Sequence, residues 1–274
     1  MPDHDTETLS LKTCAERLGV HYMTVYRYVR LGMLPASKVG AEWRVDADDL
    51  EAFQRSDDRA AGSRDAPWSD RLRSRLMAGD EGGSWKVVEA AMSSGLDPDE
   101  IYRDVIGPAM HAIGDGWVHG STSIADEHRA TAIATRLVGR LSARFATRGR
   151  PKGRVVIGTP PGEHHALAVS MAADLIRGAG FEVIDLGADL PVESFVEAVV
   201  AASPIVAVAI SVTGSGALKQ AERLIQAVRD ATSTPIIVGG VAVTSDEHAH
   251  RLGADAYAED GASAIDYVTG LVNG

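Results

Sequence analysis

A carboxylate and an imidazole two positions apart, Glu163 and His165, have the spacing of a metal-binding histidine and its orienting partner. A loop carboxylate can hydrogen-bond the ring two positions on, which fixes the tautomer of the imidazole and raises its basicity as a ligand. His164 lies between them, but the E-x-H spacing selects His165. An E-x-H pair alone is a weak signal, so the elements that position it matter.

A second group of candidate residues lies in the stretch GDGWVHGSTSIADEHR. On a helix, Ile124, Glu127 and His128 stand at i, i+3 and i+4 and therefore share one face. Trp117 precedes that helix and, across a turn at Gly120, can place a flat apolar ring beside it. The alternative is ordinary packing, with the tryptophan in the core and the histidine as a satisfied polar group.

Length and composition are those of a multidomain globular protein, with 274 residues, 45% hydrophobic and 24% charged. No apolar run reaches about 18 residues, and the first ten residues are acidic and polar, unlike a secretory signal. Cys14 is the single cysteine, which excludes an internal disulfide and a multi-cysteine metal cluster. We therefore expect a cytoplasmic protein without a membrane partner. The net charge of −11 argues against nucleic-acid binding by the chain as a whole.

Residues 9–54 nevertheless have the pattern of a DNA-binding domain. Ser10 is placed to cap a short helix, Gly19 makes a turn, and a second helix follows over residues 21–30. Two short helices joined by a glycine turn predict a helix-turn-helix. Extended runs on either side of Gly40 predict a small β-hairpin, or wing.

The same segment is basic within an acidic chain. Between residues 10 and 45, six Lys and Arg side chains stand against two Glu, a local charge of +4. Side chains suited to phosphate and base-edge contacts are Thr24, Arg27, Tyr28, Arg30, Lys38 and Arg44. The segment resembles excisionase- and MerR-like winged helix-turn-helix modules, which implies DNA binding. A small helical domain that binds protein is the alternative.

The next two segments predict a linker and a helical domain. Residues 55–67 are charged and small, with no apolar period, and predict a flexible linker. Residues 68–148 show apolar positions at three- and four-residue spacing in four stretches, which predicts a four-helix bundle. The predicted breaks between helices are at Gly79, Gly82, Gly83 and Gly95.

Residues 151–274 alternate five apolar strand runs with helical stretches. This pattern predicts a doubly wound, flavodoxin-like sheet of five parallel strands, with ligands bound beyond the carboxyl ends of the strands. Those ends carry the Glu163–His165 loop and small residues, namely Ser211, Thr213, Gly214, Gly239 and Gly240. Ser211 stands where a receiver domain needs an aspartate, so a receiver domain is not predicted. The sequence also has neither a dinucleotide-binding fingerprint nor a P-loop.

This segment resembles the cobalamin-binding Rossmann-like domains of methionine synthase and the corrinoid mutases. Those domains carry D-x-H-x-x-G, S-x-L or S-x-T, and G-G at three strand ends. The matching residues are Glu163–His165–Ala168, Ser211–Thr213 and Gly239–Gly240. Glu163 replaces the usual aspartate, and Ala168 replaces a glycine, which affects the expected turn geometry. The resemblance implies that His165 is the lower axial ligand of cobalt and that the cofactor's nucleotide tail runs along the small residues.

The order of head, bundle and cobalamin domain resembles the CarH/LitR-type photoreceptor repressors, whose bundle carries W-x9-E-H. Trp117 and Glu127–His128 match that motif. The resemblance implies that Trp117, Ile124 and Glu127 surround the upper ligand of adenosylcobalamin, and that His128 ligates cobalt from above after light breaks the cobalt–carbon bond. It also implies a non-catalytic repressor whose dark tetramer holds operator DNA and is dispersed by light.

Other functions stay open at this point. The chain could sense cobalamin or another corrinoid without light, or bind a second tetrapyrrole such as a bilin. A corrinoid methyl carrier is a further, less favoured alternative, since the DNA-binding head and the W-x9-E-H motif argue against it. We expect a cobalamin-dependent light-sensing transcriptional regulator that binds operator DNA and further copies of itself.

Overall fold

The computed structural model describes residues 7–59 and 63–273. The chain divides into two compact units, Met1–Leu137 and Val138–Gly274. Residues 1–6, part of the acidic N-terminal stretch, and residues 60–62, part of the predicted linker, lie outside the described residues.

The head of the first unit is a winged helix-turn-helix, as predicted. Its elements are β1 (Thr8–Ser10), α1 (Leu11–Leu18), α2 (Tyr22–Arg30), β2 (Ser37–Val39), β3 (Glu42–Asp46) and α3 (Ala47–Arg59). Ser10 caps α1 by accepting the N–H of Thr13 at 3.1 Å, and Gly19 ends the helix with φ of 67°. Strand β1 was not predicted; it pairs with β3 and gives the sheet order β1-β3-β2.

Helix α3 corrects the predicted start of the linker at residue 55. The helix continues to Arg59, and Arg55 lies one turn after Glu51, with 3.8 Å between guanidinium and carboxylate. Charge pairs at i, i+4 add a small stabilisation to an exposed helix. Upstream, Leu50 and Phe53 anchor α3 in the core of the head.

The bundle contains the four predicted helical stretches. They are α4 (Trp68–Ala78), α5 (Glu81–Ser93), a composite helix of α6 (Pro98–Glu100), a π-helical turn (Ile101–Ile106) and α7 (Gly107–Val118), and α8 (Ile124–Leu141). The N–H of Gly107 reaches back five residues to the carbonyl of Tyr102. Pro108 follows and has no N–H to donate, so a wider turn before it costs less than in an unbroken α-helix.

Two of the four predicted glycine breaks are wrong. Gly79 and Gly95 end their helices with positive φ, but Gly82 and Gly83 lie inside α5. Asp80 caps this helix by accepting the N–H of Gly83 at 2.9 Å, and a Cβ on Gly83 would lie 2.0 Å from the other carboxylate oxygen of Asp80. The glycine at this position therefore permits a close cap and does not break the helix.

The second unit has the predicted flavodoxin-like topology. Its strands are β4 (Arg154–Gly158), β5 (Glu182–Asp185), β6 (Ala207–Ser211), β7 (Ile236–Gly239) and β8 (Ala256–Ala258), in the parallel order β5-β4-β6-β7-β8. Its helices are α9 (Ala166–Gly178), α10 (Val192–Ala201), α11 (Leu218–Ala231), α12 (Asp246–Arg251) and α13 (Gly261–Asn273). The strand order reverses between β4 and β6, and ligands of such sheets bind at that point.

Alternate residues of each strand face the two helical layers. In β4, Val156 belongs to the core with Phe195 and Leu224, whereas Val155 and Ile157 belong to the core under α9 and α13. Both faces are covered, which explains the continuous apolar runs in the sequence. None of the described helices is long and apolar enough to cross a membrane.

Candidate functional site

The loop after β4 holds His165 by a buried carboxylate. Glu163 is 1% exposed, and its Oε1 accepts the backbone N–H of His165 at 3.0 Å and contacts the ring Nδ1 of the same residue. The imidazole itself is 58% exposed. Among the described residues nothing bonds its Nε2, so that nitrogen is available to an incoming metal.

The second oxygen of Glu163 reaches the neighbouring strand. Oε2 accepts the backbone N–H groups of Thr213 and Gly214, both at 2.7 Å, just beyond β6. Burial raises the pKa of Glu163, but the hydrogen bonds from Gly214, His165 and Thr213 outweigh it and hold that pKa below its ordinary value. A charged carboxylate thus joins the loops on either side of the strand-order reversal.

Two residues that sequence reasoning missed, Thr159 and Asp189, fix this loop. Thr159 is fully buried, and its hydroxyl donates to the carbonyl of Glu163 at 2.9 Å while accepting the N–H of Asp189 at 2.9 Å. Asp189 in turn accepts the N–H of Gly162 at 2.7 Å. The Nδ1 of His164 lies 3.5 Å from Asp189, whereas the ring of His165 contacts Glu163, so the predicted E-x-H contact is made by His165.

A cavity of about 180 Å³ lies at the carboxyl ends of four strands. Its lining includes the predicted residues Ser211, Gly239 and Gly240, together with Ala168, Ala209 and Ala258. A Cβ on Gly239 would lie 2.6 Å from the carbonyl of Ala258, and one on Gly240 would lie 2.4 Å from that of Val212. The glycines therefore let the protein's own backbone segments approach closely beside this cavity.

Two of the resembling motif's residues play different parts from those expected. Ala168 lies inside α9 and lines the cavity, so a glycine is not required there for backbone conformation. The positive φ in this loop is at Gly162 instead, at 79°. Thr213 does not line the cavity; its backbone N–H binds Glu163.

In the first unit, the W-x9-E-H residues lie at the junction of α7 and α8. Trp117 is 51% exposed and Ile124 is 61% exposed, which is contrary to core packing. Glu127 contacts the Nδ1 of His128 at 2.8 Å and accepts the hydroxyl of Thr131 at 2.7 Å. The described contacts do not join Trp117 to Glu127 or His128.

The turn between these helices is fixed by its backbone. The carbonyl of Gly116 accepts the N–H groups of Ser121 and Thr122 at 2.8 and 2.9 Å. Gly120 has φ of 74°, as a tight turn requires. Val118, the residue after Trp117, is 71% exposed and was not predicted as a site residue.

The predicted DNA-contacting residues divide into exposed and buried ones. Arg30 and Lys38 are exposed, and Arg44 is partly exposed and bonds Glu42 at 2.8 Å. Thr24 and Tyr28 are buried, at 7% and 1% exposure, so the prediction is wrong for these two.

Tyr28 is buried because α2 packs on the bundle. Its hydroxyl donates to Oδ2 of Asp80 and accepts from Arg75 at 2.7 Å, and Arg75 lies 3.2 Å from the same oxygen of Asp80. The guanidinium also stacks 5.0 Å from the Tyr28 ring and 4.9 Å from the ring of Phe53. Asp80 lies 52 residues from Tyr28 in sequence, so no local pattern could have indicated this contact.

Family models match three parts of the chain. Residues 153–266 match a B12 binding domain, residues 68–142 match a second B12 binding domain model, and residues 8–58 match a helix-turn-helix domain.

Corrinoid proteins are among the relatives of this chain. The chain is 28% identical to trimethylamine corrinoid protein 1 of Methanosarcina acetivorans over 70% of the chain and 91% of the relative. It is 26% identical to a corrinoid protein of Desulfitobacterium hafniense over 72% of the chain and 94% of the relative. The structure of the Methanosarcina barkeri monomethylamine corrinoid protein superposes with a TM-score of 0.67 at 18% identity, covering 74% of this chain and 98% of that one, and shows the same fold.

The second unit fits the cofactor that these comparisons name. It offers one imidazole with its Nδ1 held by Glu163 and its Nε2 open, together with a cavity lined mainly by small and apolar residues, with Glu259 and Asp260 also on its wall. The open imidazole nitrogen suits a metal that the cofactor already holds. The cavity suits an extended tail of that cofactor. The chain carries B12-binding domains, and its cofactor is a corrinoid, cobalamin with its cobalt.

Proposed function

We propose that the chain is a cobalamin-dependent DNA-binding regulator with light as its signal. The observation that carries the proposal is the packing of α2, the second helix of the helix-turn-helix, on the bundle through Tyr28, Arg75 and Asp80. The match of residues 8–58 to a helix-turn-helix domain supports the DNA-binding part. The resemblance of the W-x9-E-H motif supports the light-sensing part.

In this proposal His165 would hold the cobalt through Nε2, with Glu163 keeping the ring in place. Ser211, Gly239 and Gly240 accommodate the nucleotide tail. When bound, adenosylcobalamin supplies a cobalt–carbon bond that visible light breaks. Each of these residues acts by binding and orienting, and none of them needs to donate a proton to a reacting atom.

The upper side of the cofactor is assigned to first-unit residues by the resemblance. Trp117 and Ile124 offer exposed apolar surface to an upper ligand, and Glu127 offers a carboxylate for its polar groups. The ring of His128 is 76% exposed and can serve as a ligand once that position is vacant. This exposure of apolar side chains is unusual for a soluble surface and favours a binding role.

A connection from this region to α2 runs through the first turn of α8. Asp126, one residue before Glu127, bonds Arg129 at 2.7 Å, and Arg129 also bonds the carbonyl of Met77 at 2.8 Å. The Ser123 hydroxyl, with Arg129 and Arg27 of α2, lowers the pKa of Asp126 despite burial. A shift of α8 would therefore change the charges around α2.

A second candidate is a corrinoid methyl carrier, and the named relatives favour it over the regulator. They include a trimethylamine and a dimethylamine corrinoid protein, matched over 70% and 62% of the chain, and the corrinoid protein of Desulfitobacterium hafniense, matched over 72%. What distinguishes this chain is the segment that matches the helix-turn-helix domain.

DNA affinity with and without the cofactor, and methyl transfer to the cofactor, separate these functions when measured on the full chain. The chain is loaded with adenosylcobalamin, a binding site is selected from random-sequence DNA, and DNA affinity is measured in the dark and after illumination. A light-sensing regulator loses affinity on illumination, whereas a corrinoid sensor responds to loading but not to light. A methyl carrier shows neither response and accepts a methyl group from a partner methyltransferase. That result would overturn the proposal of a regulator.

A further inference from the structure

A second cavity, of about 250 Å³, lies within the first unit where the head packs on the bundle. Met33 and Phe53 of the head form one side, and residues of α4 and α5 form the other. Three of the lining side chains are cations, Arg71, Arg75 and Lys86, and none of the described lining residues is acidic. None of the candidate corrinoid-binding residues lines this cavity.

Two residues that line this cavity, Trp68 and Arg71, each carry a buried hydrogen-bond donor without a partner among the described residues. Trp68 is 3% exposed, yet its indole Nε1 bonds nothing within the described part of the chain. The Nη1 of Arg71 is likewise buried and without an acceptor there. Leaving a buried donor unpaired is unfavourable, so such groups in folded proteins indicate a missing acceptor.

The two donors are held together. The guanidinium of Arg71 stacks on the Trp68 ring, 4.9 Å from its centre. This contact fixes the direction of both side chains before any ligand arrives, which lowers the entropy lost on binding.

Charge compensation in the cavity is incomplete. Arg75 is paired with Asp80 at 3.2 Å, so its charge is largely matched. Neither Arg71 nor Lys86 forms an ion pair among residues 7–59 and 63–273. The remaining charge is therefore positive and lies beside apolar side chains, those of Met33, Phe53, Val87 and Ala90.

We propose that this cavity binds a small organic anion, a carboxylate attached to an apolar group, with Trp68 Nε1 and Arg71 Nη1 donating to the carboxylate and Lys86 adding charge. Met33 and Phe53 would contact the apolar group. Such a ligand would touch both the head and the bundle and would stabilise the first unit in proportion to its occupancy. The proposal goes beyond corrinoid binding and does not depend on it.

Calorimetric titration of the full chain with benzoate tests this site. Benzamide, its neutral analogue, and inorganic phosphate, an anion without an apolar group, serve as comparison ligands. We expect saturable binding of benzoate and weaker binding of both comparison ligands. No saturable heat with benzoate, or equal affinity for benzamide, would overturn the proposal, and tighter binding of phosphate would overturn its apolar part.

Matched variants localise the binding. Arg71→Gln and Trp68→Phe should each weaken benzoate binding about tenfold, the loss of one hydrogen bond to a charged group. Trp68→Phe keeps an aromatic ring and removes the unpaired donor, but it leaves empty volume where the buried indole was larger, so the stability of each unliganded variant is measured alongside its affinity. Arg73→Gln, on the same helix but 47% exposed and outside the cavity, makes the same charge change and should bind normally. An equal loss of benzoate affinity in Arg73→Gln would contradict the site. Adenosylcobalamin uptake is followed separately by absorbance, so that failure of benzoate binding can be distinguished from failure of the proposed function.

Discussion

The Oε2 of Glu163 accepts the N–H of Gly214 at 2.7 Å, across 51 residues of sequence. The other oxygen of the same carboxylate holds His165. One buried charge therefore fixes both the orientation of the imidazole and the spacing of the two loops around it. Anions that accept several backbone N–H groups are held strongly in their charged form.

Glu163→Gln should destabilise the chain by about 2 to 3 kcal/mol, because the amide N–H₂ of glutamine replaces an acceptor and leaves buried donors unpaired. The measurement is urea unfolding at pH 7. Glu222→Gln, an exposed position on α11, is the matched control and should change little. Equal stability of the two variants would contradict the role of Glu163.

The pH dependence of stability follows from the same carboxylate. Its folded pKa lies below the ordinary value of 4.5, so its contribution is complete above that pH and is lost as the pH falls through the folded pKa. Urea unfolding between pH 7 and pH 3 should therefore show a smaller acid loss in Glu163→Gln than in the parent. An unchanged acid loss in the variant would show that Glu163 is not the group concerned.

Gly240→Ala should close the backbone approach beside the cavity of the second unit. Its φ is 101°, and a Cβ would lie 2.4 Å from the Val212 carbonyl, so we expect a loss of about 2 to 5 kcal/mol in unfolding free energy. Gly187→Ala is the control that separates backbone strain from steric clash. Gly187 also has a positive φ, of 70°, but nothing lies within 4 Å of its Cβ position. That control should cost about 1 kcal/mol. Comparable losses in thermal unfolding would argue against the close approach.

Tyr28→Phe tests the contact between α2 and the bundle. Removing the hydroxyl leaves Asp80 and Arg75 each without one hydrogen-bond partner, and should cost about 1 to 3 kcal/mol. Tyr22→Phe, on the same helix and 45% exposed, should be neutral. If Tyr28 contacted DNA, the variant would instead lose DNA affinity with no change in chemical unfolding.

Arg30→Gln and Lys38→Gln should weaken DNA binding, because both side chains are exposed on the head. Each lost phosphate contact should reduce the slope of log affinity against log salt by about 1. Fluorescence anisotropy over a salt series measures this slope. Arg251→Gln, exposed in the second unit and paired with Glu247, should leave it unchanged; the same reduction there would indicate a general charge effect.

Local patterns predicted much of this structure. The cap at Ser10, the turns at Gly19 and Gly120, and the alternation of strands and helices in the second unit all follow from short-range propensities and periodicity. The E-x-H spacing predicted the contact between Glu163 and His165 for the same reason, since the two residues lie two positions apart.

Contacts between distant segments could not be predicted in this way. The burial of Tyr28 depends on Asp80 in the bundle, and the second oxygen of Glu163 depends on backbone groups beyond β6. Gly83 resembles a helix break by composition, yet it is required by the side chain that caps its own helix. In each case the observed structure depends on a contact with another element, or on a backbone geometry, that local sequence patterns do not specify.

The central claim is that His165 holds the cobalt of cobalamin. The most direct measurement is the absorption spectrum of the full chain loaded with adenosylcobalamin in the dark and passed through gel filtration, for the parent, His165→Ala and His164→Ala. His164 is 74% exposed and faces Asp189, so His164→Ala should keep the corrinoid and the parent spectrum. His165→Ala should lose the corrinoid or show a shifted spectrum, whereas full retention with the parent spectrum would contradict the account.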